Sequence, residues 1–165
     1  MDIRKASIHD LDQLLAMRTA FIKDLHPSVS DAEIDALRQT MVSYFTHHIG
    51  HDFFGYFAID GETTAAAVYL VVQERPAMIR FKTGKIALFL NVYTLPGYRR
   101  RGYASALLQE AIADAKTLGV SLMELQASEM GLPVYEKLGF AVKQSEFTPM
   151  EYRFDIPDDT LTGSA

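Results

Sequence analysis

The stretch that decides the fold is "PGYRRRGYASALL", residues 96–108. Its three arginines at 99–101 stand directly before Gly102, and apolar residues at helical spacing follow them. This pattern predicts a helix over 102–118 that ends at Gly119. The first amides of a helix have no intrahelical acceptor, and the helix dipole favours an anion beside them. The stretch therefore predicts a loop that binds a phosphate or a pyrophosphate.

Strands are predicted on both sides of this helix. The apolar run "KIALFLNVYT" predicts one strand over 86–94, and "VSLMELQA" predicts another over 120–127. Because a helix joins them, we expect the two strands to be neighbours and parallel. The arginine loop then lies at the carboxyl end of the first strand, which is where open α/β sheets bind their ligands.

The rest of the chain adds helices and strands to the same sheet. "DIRKA" predicts a first strand, and the capping-box spacings of Ser7 with Asp10 and of Ser30 with Glu33 predict the starts of two helices. The apolar runs on either side of Gly61 predict a hairpin. "FAVKQSEFTPMEYRFDI" is expected to supply one or two final strands.

The predicted fold class is α/β, with one mixed, mostly antiparallel sheet and helices on both faces. Strands 86–94 and 120–127 form its parallel pair. The 165 residues, 48% of them hydrophobic, are enough to bury the core of one domain. We expect that domain over 1–154 and a polar, flexible tail over 155–165.

Composition excludes several classes of chemistry. The chain has no cysteine, so disulfides, thiolate metal sites and a cysteine acyl-enzyme are ruled out. It shows no apolar signal segment and no run of about 20 apolar residues, so a soluble cytoplasmic protein without a membrane partner is expected. The net charge of −5 argues against nucleic acid as a partner, since such binders neutralise many phosphates.

Residues 99–104, "RRRGYA", match the pattern "[QR]-x-x-G-x-[GA]" and so resemble the pyrophosphate loop of the GNAT superfamily of acetyl-CoA-dependent N-acetyltransferases. Two further stretches strengthen the resemblance: "VYTLPGYRRRG", with a strand end and "Pro-x-Tyr-Arg" before the loop, and "ASEMGLPVYEKLGF", with a tyrosine shortly before "Gly-Phe". The order of predicted elements fits the family domain from about residue 2 to about 154.

The resemblance implies acetyl-CoA as cosubstrate and no metal. The strand end would offer backbone hydrogen bonds to the pantetheine arm, and the loop amides would hold the pyrophosphate. Ser128 stands where many members place an asparagine that touches the cofactor. The implied cofactor-binding residues are Val92, Tyr93, Thr94, Arg99, Arg100, Arg101, Gly102, Tyr103, Ala104, Ser105 and Ser128.

Two side chains are predicted to be catalytic. By resemblance, Tyr135 is the general acid beside the thioester sulfur; the alternative is a core aromatic that shares a buried face with Leu138. Asn91 is polar within an apolar run, so it could orient the acceptor or a proton-carrying water, although it cannot act as a base. Its alternative is a buried amide whose hydrogen bonds are satisfied.

The general base has no clear candidate in the sequence. Some family members carry a glutamate on the strand that ends at the cofactor, but here residues 87–90 read "ALFL". Glu129 and Asp24 are further candidates, although each is readily explained as a surface charge. We therefore expect a water relay. His47 and His51 are four residues apart but lack the glutamate of "HExxH", so a helix end explains them better than a metal site.

These patterns predict an N-acetyltransferase that moves an acetyl group directly from acetyl-CoA to a primary amine. The alternatives are a catalytically weak acyl-CoA sensor with the same fold and a phosphate or RNA-binding module that uses only the arginine loop. The expected acceptor is an amine-bearing small molecule or a protein amine, and a homodimer is a possible assembly. The acceptor cleft is expected between 25–30 and 147–150.

Overall fold

The computed structural model describes residues 1–144 and 147–154. Its six strands are β1 (Asp2–Lys5), β2 (Phe53–Asp60), β3 (Thr63–Glu74), β4 (Lys85–Phe89), β5 (Tyr93–Thr94) and β6 (Leu122–Glu124). Its four α-helices are α1 (Leu11–Leu25), α2 (Asp31–His48), α3 (Tyr103–Thr117) and α4 (Leu132–Lys137). Short 3-10 turns over Ile8–Asp10 and Pro96–Tyr98 precede α1 and the arginine loop.

The strands form one mixed sheet in the order β1-β2-β3-β4-β6, and β5 pairs with β3. All pairings are antiparallel except that of β4 with β6, which is parallel and joined through α3. The predicted fold class is thus confirmed, including the parallel pair and the hairpin of β2 and β3 around Gly61.

Helices cover both faces of this sheet, as predicted. Alternate side chains of β3 enter two separate cores, because successive residues of a strand point to opposite faces. Ala66, Val68 and Leu70 pack in the core of α3 and α4, whereas Ala67, Tyr69 and Val71 pack in the core of α1. Along α3, the buried residues recur at helical spacing: Leu107, Leu108, Ala111 and Ala115.

Both predicted capping boxes are present. The Ser30 hydroxyl accepts a hydrogen bond from the Glu33 amide (3.2 Å), and the Glu33 carboxylate accepts one from the Ser30 amide (2.8 Å). At the 3-10 turn before α1, Asp10 accepts from the Ser7 amide at 2.8 Å. These bonds satisfy amides that have no acceptor inside their helix. The sequence pattern of a serine followed three residues later by an acid therefore predicted both helix starts correctly.

The single strand predicted over 86–94 is wrong, because the structure divides it. Leu70 faces Phe89 and Ala67 faces Tyr93, so three steps along β3 correspond to four steps along the partner. The one extra residue is a β-bulge between β4 and β5. A run of apolar residues in the sequence cannot reveal this bulge, because the extra residue becomes visible only when the run is paired with β3. The strand predicted over 120–127 is also shorter, spanning Leu122–Glu124.

The final strands predicted over 140–156 are not found within 140–144 or 147–154. The remaining residues of that stretch, and the tail predicted over 155–165, lie outside the described residues. Alternating apolar residues form a strand only when a neighbouring strand takes their hydrogen bonds and covers one face. Met150, Tyr152 and Phe154 are instead strongly exposed.

Candidate functional site

The strand division opens a gap at the carboxyl end of β4. The parallel pairing of β4 with β6 ends at Leu88 opposite Glu124, and the chain then turns along β3 alone as β5. The amides of Asn91 and Val92 have no acceptor within the described residues. Neighbouring strands therefore diverge here and leave backbone donors unpaired, which is the arrangement that binds ligands in open sheets.

The arginine loop lies directly after this gap and leaves a helix N-terminus open. The first backbone hydrogen bond of α3 joins the Ala106 amide to the Gly102 carbonyl at 3.0 Å, and no side chain caps the helix. Across the described chain, none of the six amides at 100–105 has an acceptor. Arg100 and Gly102 adopt φ angles of 63° and 85°, so the loop is coiled tightly with its amides free for an anion.

The three arginines of the loop have different surroundings. Arg99 donates from Nε to the Thr94 carbonyl (3.1 Å) and from Nη2 to Asp24 (2.8 Å). Arg101 lies 3.8 Å from Asp60. The side chain of Arg100 is exposed and contacts no partner in the described residues. Arg99 thus fixes the loop to β5 and to the end of α1, and Arg100 is the cation left free for a ligand; pyrophosphate binding by Arg99 and Arg101 stays a prediction.

Tyr103 anchors the start of α3 to the β2–β3 hairpin. Its hydroxyl donates to Asp60 at 2.6 Å, and its ring meets Tyr98 edge-on with centroids 6.1 Å apart. The hydrogen bond to the Asp60 carboxylate raises the pKa of Tyr103. Of the remaining predicted loop residues, Ala104 and Ser105 offer backbone amides rather than side-chain contacts. The loop is therefore held at two points while its amides stay open.

Tyr135 lies on α4 and is 7% exposed. Its ring packs edge-on against Phe140, and burial raises the pKa of its hydroxyl. The hydroxyl has no hydrogen-bond partner among the described residues. A protonated, unpaired phenol of this kind can donate to a ligand. The core-aromatic alternative holds at the same time, since the ring belongs to the core beneath α3.

Ser128 begins the turn that leads into the short α4 helix. Its hydroxyl accepts from the Gly131 amide at 3.2 Å, and its carbonyl accepts from the Leu132 amide at 2.9 Å. Serine at this position therefore has a local structural role, and a contact with the cofactor stays a prediction.

Asn91 is fully buried within the bulge. Its Oδ1 accepts a hydrogen bond from Nη1 of Arg18 at 3.3 Å, whereas its Nδ2 has no partner in the described residues. Protein atoms of the described residues therefore satisfy only one half of this buried amide. Sequence reasoning missed Arg18, although a signal was present: position 18 falls where the apolar series through Leu11, Leu15 and Ile22 should place an apolar residue.

The other acid–base and metal candidates do not assemble at the gap. Asp24 is paired with Arg99, and Glu129 is exposed. Nδ1 of His47 lies 2.7 Å from the Ser43 carbonyl. Over residues 1–144 and 147–154, no three His, Asp or Glu side chains are arranged to hold a metal ion. No helix in these ranges could span a membrane.

A split sheet with an open helix N-terminus beside it is an arrangement that suits an extended, phosphate-bearing ligand. The model of the acetyltransferase (GNAT) family matches residues 14–140. The chain belongs to this family. No curated protein sequence matches it significantly.

Solved structures of acetyltransferases have the same fold. A predicted acetyltransferase of Clostridium acetobutylicum, in a structure with acetyl-CoA, is 24% identical with a TM-score of 0.76, covering 91% of this chain and 95% of its own. A GCN5-related N-acetyltransferase of Ralstonia eutropha JMP134 is also 24% identical, with a TM-score of 0.75 and coverages of 90% and 97%. An aminoglycoside acetyltransferase from an uncultured soil metagenomic sample, in complex with sisomicin, is 11% identical with a TM-score of 0.66, covering 93% and 96%.

Proposed function

We propose that the chain is an N-acetyltransferase that moves an acetyl group directly from acetyl-CoA to a primary amine. The observation that carries the proposal is the run of open amides at 100–105, placed directly beyond the gap between β4 and β6. The oxygens of a pyrophosphate can accept hydrogen bonds from these amides, and an extended pantetheine arm can pair with the free strand end. The family match supports the same ligand.

Binding would use three parts of the site. The six loop amides and the helix dipole would hold the pyrophosphate, and Arg100 would add a charge-assisted hydrogen bond worth about 1.5–3 kcal/mol before screening. The strand end at 92–94 would hold the pantetheine arm. Because Arg99 already takes the Thr94 carbonyl and Tyr93 is paired with Ala67 on β3, the backbone groups of Val92 are the more available partners.

In the reaction, the acceptor nitrogen forms a bond to the acetyl carbonyl carbon, and the carbon–sulfur bond breaks. The amide of Asn91 or of Val92 would stabilise the negative charge that develops on the carbonyl oxygen, since both are free donors at the bulge. Tyr135 would give its proton to the departing sulfur. Without cysteine, no cysteine-bound intermediate can form.

The acceptor must first lose a proton. A lysine-like ammonium with a pKa of about 10.4 costs roughly 4–5 kcal/mol to deprotonate at pH 7. Among the candidate carboxylates, Asp24 is committed to Arg99 and Glu129 lies on the surface. A water beside the buried Asn91 would therefore carry the proton away.

Cofactor binding and turnover test the proposal separately. Acetyl-CoA at about 100 times its Kd should add about 2.7 kcal/mol to the free energy of unfolding, which a melting curve detects. Tyr135→Phe should lower kcat by about 10–100-fold with acetyl-CoA affinity preserved, as expected for a group that acts in the transition state. Thiol release over a panel of amines measures kcat, and calorimetric titration measures affinity.

Tyr56→Phe is the matched control, because it removes another buried phenol hydroxyl. The Tyr56 hydroxyl donates to Asp114 at 2.8 Å, so its loss should reduce stability and leave kcat unchanged. No melting shift with acetyl-CoA would overturn the proposal. A clear shift with no acceptor acetylated in the panel would favour the acyl-CoA sensor.

A further inference from the structure

Arg18 is the one half-buried arginine of the described residues that has no carboxylate partner. Arg4, Arg38, Arg99, Arg101 and Arg153 each lie within 4 Å of an aspartate or glutamate. Arg75, Arg80 and Arg100 are exposed to solvent. Arg18 projects from α1 towards the bulge and makes a single side-chain hydrogen bond, to Asn91. Its charge is therefore partly removed from water with no local counterion.

Such an arrangement is costly for the folded chain. A guanidinium carries five N–H donors, and only one of them has an acceptor here. Burial also lowers the pKa of Arg18, although from so high a starting value that the group stays charged at neutral pH. The nearby Phe21 ring, 5.5 Å from the guanidinium carbon, gives weak cation–π stabilisation. The remaining donors are suited to an anionic ligand.

Asn91 provides the second, independent observation. Its Oδ1 is turned to Arg18, so its amide nitrogen is left as a donor, and that nitrogen is buried without a partner. Two adjacent side chains thus present donors only. An oxygen-rich anion is the complementary group, and a carboxylate fits a guanidinium in a bidentate manner.

We propose that Arg18 and Asn91 bind a carboxylate of the acceptor, so that the acceptor is an amino acid or another amine that carries a carboxylate. This inference rests on the proposed acetyl transfer. The bulge that holds Asn91 also carries the free amides assigned to the acetyl oxygen. A carboxylate at Arg18 would thus hold an amine one or two bonds away near the reacting carbon, and Arg18 is a specificity residue rather than a catalytic one.

The test compares each of the twenty common amino acids with its own carboxamide. In the unmodified protein with acetyl-CoA, at least one acid should be acetylated with a kcat/KM about 10-fold or more above that of its amide. Arg18→Met keeps the aliphatic stem and removes the charge, so this ratio should fall to near one. Arg18→Lys should retain part of the preference, because an ammonium attracts the anion without bidentate geometry.

Asn91→Asp gives Arg18 an internal counterion of almost the same shape. It should abolish the preference for acids, whereas Arg38→Met, which removes an exposed arginine paired with Asp12 on the neighbouring helices, should leave the preference intact. Melting curves of the protein with CoA and each acid or amide provide a readout that needs no turnover. Acids should raise the melting temperature more than their amides do.

Equal kcat/KM values for acids and amides, equal stabilisation by both, or stabilisation by neither would each overturn the carboxylate site. A preference that survives Arg18→Met would overturn the assignment to Arg18. None of these results changes the melting shift with acetyl-CoA. The proposed acetyl transfer is therefore tested separately, by that shift and by thiol release.

Discussion

At the N-terminus of α2 the chain caps its own helix, whereas at the N-terminus of α3 it leaves the first amides open. Ser30 and Glu33 exchange hydrogen bonds with each other's amides. At the start of α3, Gly102 occupies the equivalent capping position, with φ of 85° and no side chain to offer.

The two helices are similar in length, at 18 and 15 residues, so helix length does not explain why one is capped and the other is not. An uncapped start costs a helix roughly 1 kcal/mol. At α3, three arginines and a diverging sheet edge surround the open amides. An external anion is thus expected to cap α3, and four changes to the chain test this contrast.

The largest effect is expected from Gly102→Ala. A Cβ at this position meets no atom within 4 Å, so it would project into the open space beside the amides. The left-handed backbone costs a non-glycine residue about 1–2 kcal/mol, and the ligand loses its close approach. We expect CoA affinity to fall about 100-fold, or roughly 2.7 kcal/mol, as measured by calorimetric titration.

Gly119→Ala is the matched control at the other end of α3. Gly119 has φ of 76° and equally open surroundings, so its substitution should cost similar stability. Both variants should melt at lower temperature, but only Gly102→Ala should lose CoA binding. Equal CoA affinities in the two variants would show that the open amides are not the pyrophosphate site.

A smaller effect is expected when α3 is given the cap of α2. Ser105 is the third helical residue, the position that Glu33 holds in α2. The carboxylate of Ser105→Glu should reach back to the Gly102 amide and stabilise the free protein by about 0.5 kcal/mol. It should also weaken CoA binding about 10-fold, because it occupies a donor and repels the phosphates.

Ser105→Ala serves as its control and should change neither property. Ser105→Glu should raise stability while it lowers CoA affinity, and these opposite changes distinguish capping of the helix from general damage to the fold. If Ser105→Glu melts at higher temperature yet binds CoA as tightly as the parent, the loop amides do not hold the ligand.

Removing the cap of α2 should affect stability alone. Ser30→Ala deletes the acceptor of the Glu33 amide, so the free energy of unfolding should fall by about 1 kcal/mol. Denaturant titration measures this loss. CoA affinity should be unchanged, and a drop in affinity as large as that of Gly102→Ala would contradict the separation of the two helix starts.

The smallest effect concerns acid sensitivity at the first capping box. The hydrogen bond from Arg4, with further bonds from Ser7, lowers the pKa of Asp10 from 3.8 to about 2. A lowered folded-state pKa stabilises the protein above the unfolded value, and this contribution disappears as the pH falls from about 4 to about 2. Solvent screening limits it to less than about 1 kcal/mol.

The comparison of the parent with Asp10→Asn isolates this contribution. The difference between their free energies of unfolding should be constant from pH 5 to pH 7 and should shrink between pH 4 and pH 2. A difference that does not change with pH would show that the Asp10 carboxylate is not what stabilises the turn.

Local patterns predicted the parts of the fold that depend on neighbours in sequence. Both capping boxes, the hairpin at Gly61 and the helix after Gly102 follow from residues within four positions of each other. The family resemblance was likewise carried by short stretches around 99–104 and 127–140. These features are local because capping, turn and helix geometry are satisfied within a few residues.

Contacts between distant residues were missed for the opposite reason. The Arg99–Asp24 pair and the Arg18–Asn91 hydrogen bond each join residues more than 70 positions apart, and no pattern in the sequence pairs them. The predicted final strands are absent from the described residues 140–144 and 147–154. Apolar alternation does not show whether a neighbouring strand exists. The position of Arg18 within an apolar helical series was the one usable clue.

The bulge between β4 and β5 is specified by chain length rather than by residue type. Four steps from Phe89 to Tyr93 oppose three on β3, and no single substitution changes that count. Substitutions of Leu90 or Val92 should therefore leave the bulge in place, whereas deleting one residue of 90–92 would restore an unbroken ladder and close the gap to β6. The gap between β4 and β6 is thus insensitive to substitution but sensitive to deletion. A comparison of related chains should therefore examine insertions and deletions at residues 90–92 before it examines side chains.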